Sequence, residues 1–245
     1  MPYYQPQISS DSCQIVGVEA LARWRHPAEG VLPPSRFLEV ADDIGVAGAL
    51  DRVILEHAIA DLRRWQAAGV PVPKMSVNVS ARRLLDRDLI RSVSELDLPR
   101  GVLSFELLES VFLDEVDETI SWNIDMLKEI GIDIELDDFG SGHASIVGLV
   151  KLGPNAIKID RELVASITAD EKRCGLVRSI VEICRSLGTR VIAEGVETRA
   201  QAELLHKLGC DALQGYHFAK PMTAEDFRQF VRDWQGHPEA LRQSS

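Results

Sequence analysis

Cysteine is scarce in this chain, and Cys13, Cys174, Cys184 and Cys210 show neither CxxC spacing nor a paired histidine pattern. That excludes a disulfide framework and a zinc site as organising features, and it predicts reduced thiols, partly buried as small hydrophobes, in a cytoplasmic protein. Basic residues are also in deficit, 27 against 38 acidic ones for a net charge of −11. Broad binding of DNA or RNA polymers through phosphate neutralisation is thereby disfavoured. No apolar run approaches the ~18 residues of a membrane span, and no signal peptide is evident. What is present, 45% hydrophobic and 27% charged residues over 245 positions, suits a globular protein about the size of one (β/α)8 barrel, for which ~250 residues is typical.

The chain opens on an apolar, aromatic strand, Tyr3–Ile8, followed by the turn residues Ser9-Ser10-Asp11-Ser12 and a second strand from Gln14 to Trp24. So short a connection leaves no room for a crossover, which predicts an antiparallel hairpin. Glu19 then stands inside an otherwise apolar strand, either on the solvent face or aimed at a ligand. Helices are expected from Pro34 to about Ile44 and from about Leu50 to Ala68, the second with Ile54, Ala58, Leu62 and Trp65 on one stripe. Thereafter strands at Lys74–Ser80, Leu103–Glu109, Ile132–Leu136, Ala156–Asp160, Arg190–Val196 and Ala212–Phe218 alternate with helices. The helix over 161–187 is expected to break near Ala169-Asp170, and Thr198 with Gln201 has capping-box form. Eight strands without a composition shift predict an α/β fold, one closed barrel over residues 1–236 with a disordered tail at 237–245. An open doubly wound sheet is the rival.

The stretch Gly131–Asp160 concentrates polar chemistry. Asp137 and Asp138 repel one another unless a cation lies beside them, so a divalent metal is one reading and a helix cap the other. In a barrel, function collects where strands meet the loops that follow them. Asn78, Glu106, Glu109, Asp137, Asp138, Lys158, Glu194, Glu197 and Gln214 all fall at such strand ends. Oxygen-only ligands, several of them carboxylates, favour Mg²⁺ or Mn²⁺ over zinc.

Glu19-Ala20-Leu21, SVNVS around Asn78, FELLES at 105–110, DDFGSG from Asp137, KID at 158–160, AEGVE at 193–197 and QGY at 214–216 together resemble the EAL-domain family of cyclic di-GMP phosphodiesterases. The resemblance implies a modified (β/α)8 TIM-like barrel with one antiparallel strand near the N-terminus. It also implies metal-dependent hydrolysis of cyclic di-GMP to the linear dinucleotide pGpG. By the same resemblance Glu19, Asn78, Glu106 and Asp137 hold one ion, and Asp137, Asp138 and Glu194 hold a second, with Ca²⁺ inhibitory. The resemblance further implies that Lys158, Glu194 and Glu197 form the catalytic group, with Lys158 orienting the nucleophilic water. Gln5, Leu21, Arg23, Asp160 and Gln214 are expected to bind substrate, and Glu109 to hold the loop after Asp138. A homodimer, and an upstream sensory or GGDEF-like domain in a larger parent that could be membrane-tethered, are expectations of the same kind. The chain departs from the family pattern at Leu108, commonly threonine, and at Ser141, His143 and Ala144, commonly threonine, tyrosine and serine. The rival functions are a cyclic di-GMP receptor without turnover and a proton-abstracting lyase with Lys158 as base.

Overall fold

The computed structural model describes residues 1–109, 118–140 and 146–234. Strands β1 (Pro2–Ser9) and β2 (Ile15–Ala22) open the chain, and a small hairpin of β3 (Trp24–His26) and β4 (Gly30–Leu32) stands apart from the main sheet. Helices α1 (Leu38–Asp43) and α2 (Ala47–Ala67) lead to β5 (Met75–Asn78), and α3 (Ala81–Leu84) with α4 (Leu89–Ser94) lead to β6 (Leu103–Leu108). Then come α5 (Glu118–Glu129), β7 (Asp133–Phe139), α6 (Ile146–Leu152), β8 (Ala156–Ile159), α7 (Arg161–Ala165) and α8 (Glu171–Leu187). The last elements are β9 (Arg190–Ala193), α9 (Arg199–Leu208), β10 (Ala212–Leu213) and α10 (Ala224–Asp233).

Eight strands close a barrel in the order β1-β10-β9-β8-β7-β6-β5-β2. β1 runs antiparallel to both of its neighbours, with Gln5 opposite Glu19, and every other pair is parallel. The expected hairpin and single reversed strand are therefore present, and the open sheet is excluded. Outward-facing Ile134 and Leu136 meet the helical layer, in one apolar core with Ile54, Ala58, Leu62 and Trp65 of α2. Helix boundaries follow capping chemistry. The Asp170 side chain accepts from the Lys172 and Arg173 amides, Thr198 and Gln201 form the capping box, and the helical run from Arg161 breaks between Ala165 and Glu171.

Several boundaries differ from expectation. The strand from Gln14 ends at Ala22, and Trp24 belongs to the side hairpin; the strand from Ala212 ends at Leu213, and that from Arg190 at Ala193. The helix expected from Pro34 divides into a 3₁₀ turn and α1, and the helical connection between β5 and β6 into α3 and α4. The departures at Ser141, His143 and Ala144 and the expected tail lie outside the described residues. Cys13, Cys184 and Cys210 are buried, and no disulfide joins any of the four cysteines; burial pushes the Cys184 thiol up to about 11 and Cys210 to about 12. Among the described residues no helix is long and apolar enough to cross a membrane.

Candidate active site

Period-two alternation places Glu19 of β2, Glu106 of β6, Asp137 of β7 and Lys158 of β8 inside the barrel, near the ends from which the following loops leave. The Lys158 Nζ lies 2.7 Å from Glu194, 2.9 Å from Glu106, 3.2 Å from Glu19 and 3.5 Å from Asp137. One ammonium thus faces four carboxylates. The Asn78 Nδ2 donates to Glu19 at 2.9 Å and to Glu106 at 3.0 Å, and the Gln214 Nε2 donates to Glu19 at 2.6 Å and to Gln5 at 3.2 Å. The Gln5 amide in turn donates to the Ala219 carbonyl at 3.0 Å.

The electrostatics follow from this crowding. Burial opposes the charge on Lys158, yet Asp137, Glu106, Glu19 and Glu194 together raise its pKa well above the ordinary value. Burial and then the charge of Glu19 push Glu106 well upward. Burial likewise raises Asp137 against the pull of Lys158, and raises Glu194 to about 8. Asp138 is lifted to about 6 by burial, then by repulsion from Asp137 and Asp160. Burial works against Glu19 too, but Lys158 and its hydrogen bonds win and its pKa falls. Carboxylates whose pKa values are pushed upward for want of positive charge are a physical signature of a site shaped for additional cations. The donor set agrees: Asp137, Asp138 and Glu194 each offer an oxygen within 4.8 Å of the others, which suits a hard divalent ion.

A cleft of about 420 Å³ opens over this cluster, lined by Gln5, Glu19, Leu21, Arg23, Asn78, Asp137, Glu194, Glu197 and Gln214 among others. Arg23 donates to the Ala22 carbonyl at 2.8 Å and lies over the Tyr3 ring, 5.6 Å from its centre. Glu197 is exposed at the rim, and its backbone amide donates to Gln201 at 2.9 Å; its carboxylate is not among the four around Lys158. Asp160 does not line the cleft. Its carboxylate caps α7 by accepting from the Glu162 amide at 2.5 Å, and it presses on Asp138. The Glu109 carboxylate accepts from the Gly140 amide at 3.2 Å, at the point where the loop after Asp138 begins, while Leu108 is exposed. Asp138 itself has φ +54°, a left-handed conformation unusual for a side chain that is not glycine. Functional geometry concentrates at such positions.

Two features escape a reading of strand ends. Asp51 of α2 lines the cleft and accepts from the Ser80 amide at 2.8 Å and hydroxyl at 2.6 Å. Its only signal is an acid in the first half of an amphipathic helix. Glu135, one turn of the pleat below Asp137, is fully buried inside the barrel rather than on a solvent face.

The EAL domain model matches residues 1–221. The chain is 36% identical over 227 residues to the oxygen sensor protein DosP of Escherichia coli K12, covering 91% of this chain and 28% of DosP. It is 33% identical over 232 residues to the cyclic di-GMP phosphodiesterase RocR of Pseudomonas aeruginosa, covering 93% of this chain and 59% of RocR. The chain therefore spans less than two thirds of the length of these curated relatives. A solved PaMucR phosphodiesterase in complex with c-di-GMP superposes with a TM-score of 0.86 at 33% identity, covering 93% of each chain. With the family model spanning nearly the whole barrel, this chain belongs to the EAL-domain family.

Proposed function

We propose that the chain hydrolyses one P–O3′ bond of cyclic di-GMP to give linear pGpG, using two Mg²⁺ or Mn²⁺ ions. The observation that carries the reading is the surplus of carboxylates around Lys158, four within 3.5 Å of one ammonium, beside the compact Asp137, Asp138 and Glu194 group. The ions, when bound, would supply the positive charge that the phosphate needs and the acidity that makes water a nucleophile near neutral pH. Glu19, Asn78, Glu106 and Asp137 would hold one, and Asp137, Asp138 and Glu194 the other.

The chain's own groups have separable tasks. Lys158 keeps its proton and donates from Nζ, so it orients an attacking water and balances charge as the phosphorane forms. Gln214 and Asn78 fix the Glu19 carboxylate from two sides. Arg23, at the cleft wall, binds a phosphate of the ring. Glu109 anchors the start of the loop after Asp138 through the Gly140 amide. Hydrolysis adds water across the P–O3′ bond, leaving a 3′-hydroxyl and a 5′-phosphate. A homodimer belongs to this reading as well, since α6 exposes Ile146, Val147 and Val150, and α8 exposes Leu176, and these helices flank one apolar cavity beside Gly140.

The test is incubation with cyclic di-GMP and Mg²⁺ or Mn²⁺, with products separated by chromatography. Appearance of pGpG that stops on chelation or Ca²⁺ substitution supports the proposal. Binding of the cyclic dinucleotide with no product at any metal concentration would establish a receptor instead.

A further inference from the structure

Among the described residues the cleft is lined by two arginines, and the family resemblance accounts for only one of them. Arg23 follows β2, and Arg161 begins α7 directly after β8. In the closed order β1-β10-β9-β8-β7-β6-β5-β2, strands β2 and β8 are four places apart in a ring of eight, so the two arginines rise from opposite walls of one mouth. Both line the same cleft.

Their surroundings differ. Arg23 is half-buried, hydrogen-bonded to a carbonyl and laid over an aromatic ring. Arg161 is exposed, and no ion pair or side-chain hydrogen bond ties it to any described residue, although Glu194 and Glu197 line the same cleft. The base of its side chain is nevertheless held. A Cβ on Gly195, which has φ +64°, would lie 2.5 Å from the Arg161 Cβ and 3.2 Å from its Cα. The β9–α9 loop thus packs directly on the root of Arg161, immediately beside Glu194, and only the outer part of the side chain is free to move. The result is a guanidinium anchored at its root and unpaired among the described residues, at the edge of the carboxylate cluster, in a chain of net charge −11.

Chemistry supplies the anion. Each phosphodiester of the cyclic substrate carries one negative charge, whereas a terminal phosphate, with a second pKa near 6, carries about −1.5 to −2 at pH 7. In the phosphodiesterase reading, that extra charge and a third non-bridging oxygen would appear at the phosphorus attacked beside the Asp137, Asp138 and Glu194 group. Arg161 stands on that side of the cleft and Arg23 on the far one. A planar guanidinium can take two oxygens of a terminal phosphate at once.

We propose that Arg161 is a product-binding residue: its guanidinium pairs with the 5′-phosphate formed on ring opening, so it distinguishes the linear dinucleotide from the cyclic one. This assignment rests on the phosphodiesterase reading above. Arg23 holds the substrate in both forms, and Arg161 contributes once the bond is broken. It thereby governs how long the product occupies the mouth and whether it stays for a second cleavage to GMP.

The test is calorimetric binding in Ca²⁺, which avoids turnover, of three ligands: cyclic di-GMP, pGpG, and GpG, which lacks the terminal phosphate. For Arg161→Ala, Kd for pGpG is expected to rise about tenfold, the scale of one charge-assisted hydrogen-bonded contact, with less than twofold change for cyclic di-GMP and for GpG. Arg161→Lys should recover part of the pGpG affinity, and Arg23→Ala should weaken cyclic di-GMP and pGpG alike. Equal losses on all three ligands in Arg161→Ala, or none on pGpG, would overturn the assignment while leaving the phosphodiesterase reading standing. A wild-type chain that binds no cyclic di-GMP overturns both. Thermal melting of the variants separates a loss of contact from a loss of fold.

Discussion

The barrel holds a lysine among carboxylates at each end of its interior, and the two arrangements behave as opposites. At the lower end Lys74 pairs with Asp133 and lies 3.6 Å from Glu135, Arg190 approaches Asp133 at 3.7 Å, and the Ser76 hydroxyl donates to Glu135 at 3.0 Å while lying 3.1 Å from Ser104. Two cations there face two anions, with hydroxyls meeting a further lone pair. At the mouth, Lys158 is the one cation among the described residues within ion-pair distance of Glu19, Glu106, Asp137 and Glu194, with Asp138 next to them. A balanced buried cluster is a structural element, whereas an unbalanced one awaits a ligand. Lysine amid carboxylates is therefore no sign of catalysis by itself; the surplus of negative charge is.

That contrast can be broken by experiment. The largest effect is expected at the mouth: Lys158→Ala or Glu19→Ala should reduce turnover by roughly a thousandfold or more, the scale of a lost proton-handling or charge-stabilising group, with the circular dichroism of the folded protein retained. Full activity in either variant would strip that residue of its catalytic role. At the lower end the penalty should fall on stability. Lys74→Met leaves Glu135 buried without its cation and should cost about 3 kcal/mol, or roughly 10 °C in melting temperature for a domain of this size, while the molecules that remain folded hydrolyse within a few fold of wild type. A folded, fully stable and inactive Lys74→Met protein would make the two ends functionally one.

Smaller effects sharpen the same comparison. Asp138→Asn removes one of the mutually repelling charges from a left-handed position that asparagine accepts. It should stabilise the metal-free protein by about 1 kcal/mol and abolish the rise in melting temperature that Mn²⁺ is expected to give the wild type; a lower metal-free melting temperature with a Mn²⁺ response intact would contradict this. The pH dependence has a definite sign. Glu194 has its pKa raised from 4.5 to about 8, so across that window the native state keeps a proton that the unfolded chain has lost. Metal-free stability should therefore fall as pH rises from about 5 to 8, and saturating Mg²⁺ or Mn²⁺, which competes with that proton, should flatten the curve. Melting series in chelator and in Mn²⁺ would show it, and a metal-free stability that rises with pH would refute it.

Much of this was legible in the residues. Glu19 stood out because a carboxylate inside an apolar strand needs a partner, and β1 with β2 could only be a hairpin because the turn between them is short. What could not be read is which face of a strand looks inward. In β7, Ile134 and Leu136 alternate with Glu135 and Asp137, and alternation separates two faces without saying which one meets water. A barrel buries both, the apolar face under helices and the polar face in the lumen, so Glu135 is as deeply enclosed as its apolar neighbours. Asp51 was invisible because its contacts cross 29 residues to Ser80. The run from Ala212 to Phe218 looked like one strand from its apolar content alone. The chain leaves the strand after Leu213, and Gly215 passes so close to Val196 that a Cβ would lie 2.1 Å from its carbonyl oxygen. Such contacts are set by tertiary neighbours rather than by local pattern.

The reversal of β1 has a mechanical consequence. In an all-parallel barrel the first strand begins at the end remote from the chemistry. In this chain the backbone at Met1 is clamped to Arg23, its terminal nitrogen 3.0 Å from the Arg23 carbonyl and its own carbonyl 2.8 Å from the Arg23 amide. Tension or torque applied at residue 1 is thus delivered to the arginine at the cleft wall across two hydrogen bonds, with no intervening element to absorb it.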